Sequence, residues 1–195
     1  MIKSVSCRIA LLFIFAVGAV DIAAADPAPR SLESRAPIDS PVNNARIEID
    51  KSDRELLLYS GDEMLRRFPV GLGFNPVDDK VREGDGATPE GEFIVVVKNP
   101  QSQFYLSLGI NYPNREDAER GLADGLISAE EHRRIVAADS KGTRPPWNTA
   151  LGGEIFIHGR GSSSDWTLGC VALDDSNMKE LFAAVAPGTP VIIRP

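Results

Sequence analysis

The sequence predicts a mainly β domain with one helical insert and one C-terminal helix. Three observations lead there: apolar and polar residues alternate with a period of two beyond residue 45, turn signals separate the alternating runs, and helical spacing is confined to two stretches. Arg46-Ile47-Glu48-Ile49-Asp50 alternates strictly, residues 51–54 make a polar turn, and residues 55–59 return as a more buried strand. Ser60-Gly61-Asp62-Glu63 turns the chain into a third strand through Val70, so this region reads as a β-meander. Thr88-Pro89-Glu90-Gly91 is a further turn. It feeds residues 93–97, whose β-branched run suits a central strand, and residues 104–108 suit another.

The insert, at about residues 111–147, then interrupts the strands. Within it, Ser128-Ala129-Glu130-Glu131 has the spacing of a capping box and predicts a short helix through Ala138. An insertion of this length between strands is commonly functional, which makes it a candidate lid; the other reading is a decorated crossover. Ile155-Phe156-Ile157 reads as a short buried strand. Met178, Leu181, Phe182 and Val185 form an apolar stripe at helical spacing, closed by Pro187-Gly188, and Val191-Ile192-Ile193 supplies the last strand. Those side chains read as core packing.

Residues 1–25 are expected to be a secretory signal peptide: Lys3 and Arg8 precede an apolar stretch, and Ala23-Ala24-Ala25 precedes Asp26. The apolar stretch is shorter than the roughly 20 residues a membrane span needs. Residues 26–44, with Pro27, Pro29, Pro37 and Pro41, read as a linker, and residues 45–195 as the catalytic domain. Export would place the domain in the periplasm or outside the cell. The net charge of −7, with no stripe of Lys and Arg, excludes nucleic acid as a partner.

The chain has two cysteines, and Cys7 would leave with the signal. Cys170 then has no disulfide partner, and a lone thiol in an oxidising compartment is either a buried bystander or a nucleophile. Its surroundings favour the nucleophile. Cys170 follows Ile155-Phe156-Ile157-His158-Gly159-Arg160-Gly161 after a Ser-rich loop, and a thiol near its reference pKa of about 8.5 needs an imidazole to take its proton. Of the two histidines, His132 sits in a charged, solvated stretch, which leaves His158 as base. Gly159 and Gly161 let the backbone turn away after His158. Gly169 removes a side chain where a substrate carbonyl must approach, and the backbone at Leu168 and Gly169 would hold the oxyanion. No Asp or Asn is placed by spacing to orient the imidazole, and the Gly159 carbonyl can do so instead.

Arg160 is a candidate clamp for a substrate carboxylate or an ordinary exposed arginine. Trp166, beside Thr167, either stacks on substrate or braces the loop, and Asp165 caps local backbone. Zinc is not expected, because the chain offers no third ligand near His158 and Cys170. No metal and no cofactor is needed for the chemistry these residues imply.

The His158-Gly159 and Thr167-Leu168-Gly169-Cys170 segments resemble the L,D-transpeptidase family, the YkuD-like catalytic domain of bacterial cell-wall enzymes. Arg54-Glu55-Leu56-Leu57-Leu58-Tyr59, Phe68-Pro69-Val70-Gly71-Leu72-Gly73 and Gly84-Asp85-Gly86-Ala87-Thr88-Pro89-Glu90-Gly91-Glu92-Phe93 extend the resemblance upstream in the family's order. The resemblance implies a β-sandwich whose cysteine attacks a peptidoglycan stem peptide at its diamino acid, releases the terminal D-amino acid and passes the acyl group to an amine. That amine would belong to another stem or to a wall-attached protein. Leu168 and Ala172 stand where better-known members carry polar or charged residues, and the loop between His158 and Cys170 is shorter. An L,D-carboxypeptidase or amidase using water as acceptor is therefore the alternative. A wall-binding module without catalysis is opposed by the intact His158, Gly169 and Cys170.

Overall fold

The computed structural model describes residues 36–195; the expected signal peptide and the first part of the expected linker lie outside them. In chain order the described elements are β1 (Ala45–Asp50), β2 (Glu55–Ser60), β3 (Glu63–Pro69), β4 (Gly91–Ser102), β5 (Tyr105–Ile110), α1 (Arg115–Ala123), α2 (Ala129–Asp139), β6 (Phe156–His158), β7 (Val171–Ala172), α3 (Asp175–Ala184) and β8 (Pro190–Arg194). The strands form an eight-stranded sheet in the order β3-β2-β1-β8-β4-β5-β6-β7. Strands β1 to β3 are the expected antiparallel meander. Strand β8 lies between β1 and β4, parallel to the first and antiparallel to the second.

The sheet curls until its ends meet. Gly71, just beyond β3, exchanges two backbone hydrogen bonds with Ala172 of β7, at 2.9 and 2.8 Å. The enclosed core takes alternate residues from the strands, including Ile47, Ile49, Leu56, Leu58, Val191 and Ile193, and is capped by Met178 and Leu181 of α3. Burying an aliphatic side chain of this kind contributes about 1.5–3 kcal/mol, so the period of two both specifies the strands and drives the curl. The mainly β, sandwich-like architecture expected from the sequence is present, with the helical insert and the C-terminal helix.

Three local features differ from expectation. Helix α1 is an additional element, begun by a capping box in which Asn114 and Asp117 bond each other's backbone N–H groups. Ser128-x-x-Glu131 carries the more familiar spelling of that motif, and it caps α2 as expected. Lys51, in the polar turn, is buried: its Nζ donates to Asp78 O at 2.8 Å and pairs with Glu90 Oε1 at 2.5 Å. Residues 36–44, read as linker, run along the domain, where Ile38 N donates to Glu180 Oε1 and Val42 N to Ala184 O.

The insert has its own apolar cluster of Ala118, Ile127, Ile135 and Leu151. Buried Tyr112 ties it to the rest of the domain by donating to Leu151 O at 3.0 Å, and the Asn114 side-chain amide donates to Glu92 O.

Candidate active site

Strands β6 and β7 pair in parallel, with Ile157 opposite Val171 and His158 opposite Ala172. This register sets Cys170, one residue before β7, beside the start of β6, and its Sγ accepts from Phe156 N at 3.4 Å. The thiol reaches Glu154 O at 3.6 Å. Cys170 and His158 open onto the same cleft of about 590 Å³, bounded by Lys80, Glu83, Phe104, Trp147, Trp166 and Leu168 among others. Two residues separated by a serine-rich loop thus meet because one strand follows the other in parallel.

The imidazole is held on three sides. Its Nδ1 lies 2.7 Å from Gly159 O, an atom that can only accept, so the proton sits on Nδ1 and the Nε2 lone pair is left as a base. Phe104 stacks on the ring with centroids 4.6 Å apart, and Trp166 meets it edge-on at 5.6 Å. The Trp166 indole is fixed by its Nε1–H donating to Gly161 O at 3.1 Å. These contacts brace the indole, and its exposed edge also borders the cleft. Phe104 lies in the turn between β4 and β5 rather than in a strand, and sequence reading did not mark it. The only signal was an aromatic at a strand boundary.

Burial pushes the Cys170 thiol up to about 11. Burial also holds the His158 imidazole below its ordinary value, against the pull of the Gly159 carbonyl. Both groups are therefore neutral near pH 7, and no hydrogen bond among the described residues joins Sγ to the imidazole. The resting pair is thiol and imidazole rather than thiolate and imidazolium.

The nucleophile turn is fixed by Thr167. Its hydroxyl donates to Cys170 O at 2.7 Å and accepts from Gly169 N at 3.1 Å. The Gly169 N–H, expected as an oxyanion donor, is thus already engaged, whereas the Leu168 and Cys170 N–H groups meet no protein acceptor among the described residues. Thr167 is buried, bonds Leu72 and Phe74 through its backbone, and also lines the cleft. Gly169 has φ +127°, and a Cβ there would stand 2.6 Å from Ala87 O. Only glycine fits that position without displacing the neighbouring loop.

Asp165 does not cap its local backbone as expected: it accepts from the distant Leu72 N at 2.9 Å and from the Arg54 guanidinium at 3.0–3.2 Å, and so ties its loop to the segment after β3. Arg160 is exposed and does not line the cleft. After Gly159 the chain is drawn toward α3, where Asp175 Oδ1 accepts from Arg160 N at 2.8 Å. The cation that lines the cleft is Lys80, which carried no motif of its own. Helices α1 and α2 do not border the cleft either; from the insert region, Trp147 does.

Residues 44–193 match the sequence model of the YkuD L,D-transpeptidase catalytic domain. No curated protein sequence matches the chain. Among solved structures, the helical cell shape determining protein of Campylobacter jejuni superposes with a TM-score of 0.52 at 22% identity, over 84% of this chain and 52% of that one. Bd1075 of Bdellovibrio bacteriovorus gives 0.51 at 19% identity, over 81% and 52%. An L,D-transpeptidase from Mycobacterium smegmatis gives 0.47 at 12% identity, over 78% and 59%. The chain therefore spans between 52% and 59% of the length of these proteins, and at such identities the first two likenesses speak to the fold.

Proposed function

Because the chain belongs to the L,D-transpeptidase catalytic-domain family, we propose that it is a peptidoglycan L,D-transpeptidase that forms an acyl-enzyme on Cys170 and passes it to an amine. The observation that carries this reading is the shared cleft of Cys170 and His158, with the imidazole tautomer that leaves Nε2 free as a base. Substrate is a stem peptide, and the acceptor is an amine of another stem or of a wall-attached protein. The site of action is outside the cytoplasm, where that substrate is found. Among the described residues no helix is long and apolar enough to cross a membrane.

Both groups start neutral, so proton transfer accompanies attack. As Sγ bonds to the stem carbonyl carbon, its proton moves to Nε2, and the imidazolium that forms keeps its Nδ1–H on Gly159 O. The carbonyl oxygen becomes an oxyanion within reach of the unengaged N–H groups of the nucleophile turn. When the tetrahedral intermediate collapses, the C–N bond to the terminal D-amino acid breaks and Nε2–H supplies the leaving amine with its proton. The acceptor amine then attacks the thioester, gives a proton to Nε2, and releases the cysteine.

The test is a mass-resolved assay of the domain with purified stem peptides and added diamino-acid amine. The expected products are an acyl-enzyme on Cys170 and a cross-linked or amine-capped stem. Cys170→Ser should fold normally and lose on the order of a thousandfold or more in turnover, since an alkoxide is far harder to form than a thiolate. Full activity in a folded Cys170→Ser protein would remove the mechanism. If water takes nearly all of the acyl-enzyme at saturating amine, the enzyme is a carboxypeptidase or amidase instead.

A further inference from the structure

Among the described residues, one lysine lines the cleft, and it is buried there. Lys80 is 2% exposed, and its Nζ is fixed by Asp85 Oδ1 at 2.8 Å and Arg82 O at 3.0 Å. Asp85 forms an ion pair with that ammonium, and its carboxylate is also the acceptor for three backbone donors. Val81 N and Arg82 N reach Oδ2 at 2.8 Å, and Ala87 N reaches Oδ1 at 3.1 Å. The backbone of Lys80 is pinned from the insert: Arg120 of α1 donates through Nη2 to Lys80 O and through Nη1 to Asp79 Oδ2, both at 2.9 Å. The same loop presses on the nucleophile turn, as the approach of Ala87 O to Gly169 shows.

We infer that Lys80 is a positioning residue for charge at the nucleophile: its fixed ammonium stabilises Cys170 Sγ as sulfur becomes anionic, and helix α1 serves catalysis by holding it there through Arg120. The inference rests on the reading of Cys170 as nucleophile. The other charged or titratable groups bordering the cleft are His158 at the end of β6, Glu154 before it and Glu83 on the Lys80 loop. Glu154 opposes ionisation of the thiol and Lys80 favours it, though burial outweighs both. Arg160 is not part of the lining, and among the described residues Lys80 is the fixed positive charge there.

Charge and scaffold roles can be separated by sign. The thiol is titrated by iodoacetamide alkylation across pH and by the ultraviolet absorbance of the thiolate, with no wall substrate present. Lys80→Gln should move the thiol profile to higher pH and slow alkylation at about pH 9 roughly tenfold, the effect of one pKa unit. Asp85→Asn, which leaves the ammonium and removes the neighbouring anion, should move it to lower pH. Lys80→Arg should stay near the unmutated profile. If Lys80 only braces the loop, the Gln and Asn variants loosen the same contacts and shift the profile in the same direction, or neither shifts it; either result overturns the inference. Should Lys80→Gln fail to fold, Asp85→Asn decides, and a thiol no more acidic there overturns it. Alkylation needs neither donor nor acceptor, so this outcome is independent of whether the enzyme transfers or hydrolyses.

Discussion

His158 and Cys170 are poised as a neutral pair, and this fixes how the reaction should respond to pH. Burial depresses the imidazole and raises the thiol to about 11, so the base stays unprotonated and the thiol stays protonated over a wide window. Acylation by a carbapenem or a stem peptide, followed by intact mass, should be flat through neutral pH. It should fall on the acid side only below the ordinary histidine value of 6.5. His158→Gln should lose the plateau, with a rate that climbs tenfold per pH unit toward about 11 because only preformed thiolate reacts. Near pH 7 the loss should be roughly a hundredfold to ten-thousandfold. Matching profiles for the two proteins would exclude His158 as base. The pair was legible in the sequence because each residue carries its local signal: a histidine closing an apolar run, and a cysteine after glycine. Phe104 and Lys80 were not, since their proximity depends on the curl of the sheet and on a loop whose spelling shows only charge and glycine.

At the level of elements, α1 shows what a sequence pattern hides. Its cap uses Asn114 and Asp117, a polar pair in a stretch that reads as loop, and nothing apolar at helical spacing announces the helix. What makes it an element is the fold around it: Asp117 is buried, accepting from Asn114 N and from Arg120 Nη2, each at 2.9 Å. Burial pushes the Asp117 carboxyl up to about 7, with Arg120 and the Asn114 N–H pulling the other way. The folded state therefore holds the proton more tightly than the unfolded chain, where the group titrates near 3.8. Its contribution to stability is greatest at acid pH, declines as pH rises from the unfolded value through about 7, and is constant above that. Asp117→Asn keeps an acceptor and cannot ionise. Denaturation midpoints measured at about pH 5 and about pH 8 should fall less with rising pH in the variant than in the unmutated protein. An equal fall in both would show that Asp117 does not titrate between those conditions.

For the molecule as a whole, the meander, the alternating strands and the terminal helix were readable because burial on one face imposes period two or three to four directly on the residues. The order of strands was not readable. Nothing in Val191-Ile192-Ile193 says that this strand lies between β1 and β4, since both neighbours are chosen by long-range pairing. Yet β8 is the element that joins the meander to the rest of the sheet. Removing residues 190–195 should abolish cooperative unfolding and the dispersed amide spectrum of a packed domain, whereas a merely peripheral strand would cost only part of the melting temperature.

That central position of a late strand has a consequence for biogenesis. A nascent chain that has reached Thr189 carries the nucleophile, its base and most of the core residues, but β1 and β4 have no strand between them until Pro190–Arg194 is made, and the two parts of the sheet are linked by short contacts such as that of Gly71 with Ala172. Assembly of the whole sheet thus waits for β8, which follows every other described strand in the chain. For a chain proposed to act beyond the cytoplasm, a sheet that waits for its central strand leaves the polypeptide threadable through a translocation pore for longer.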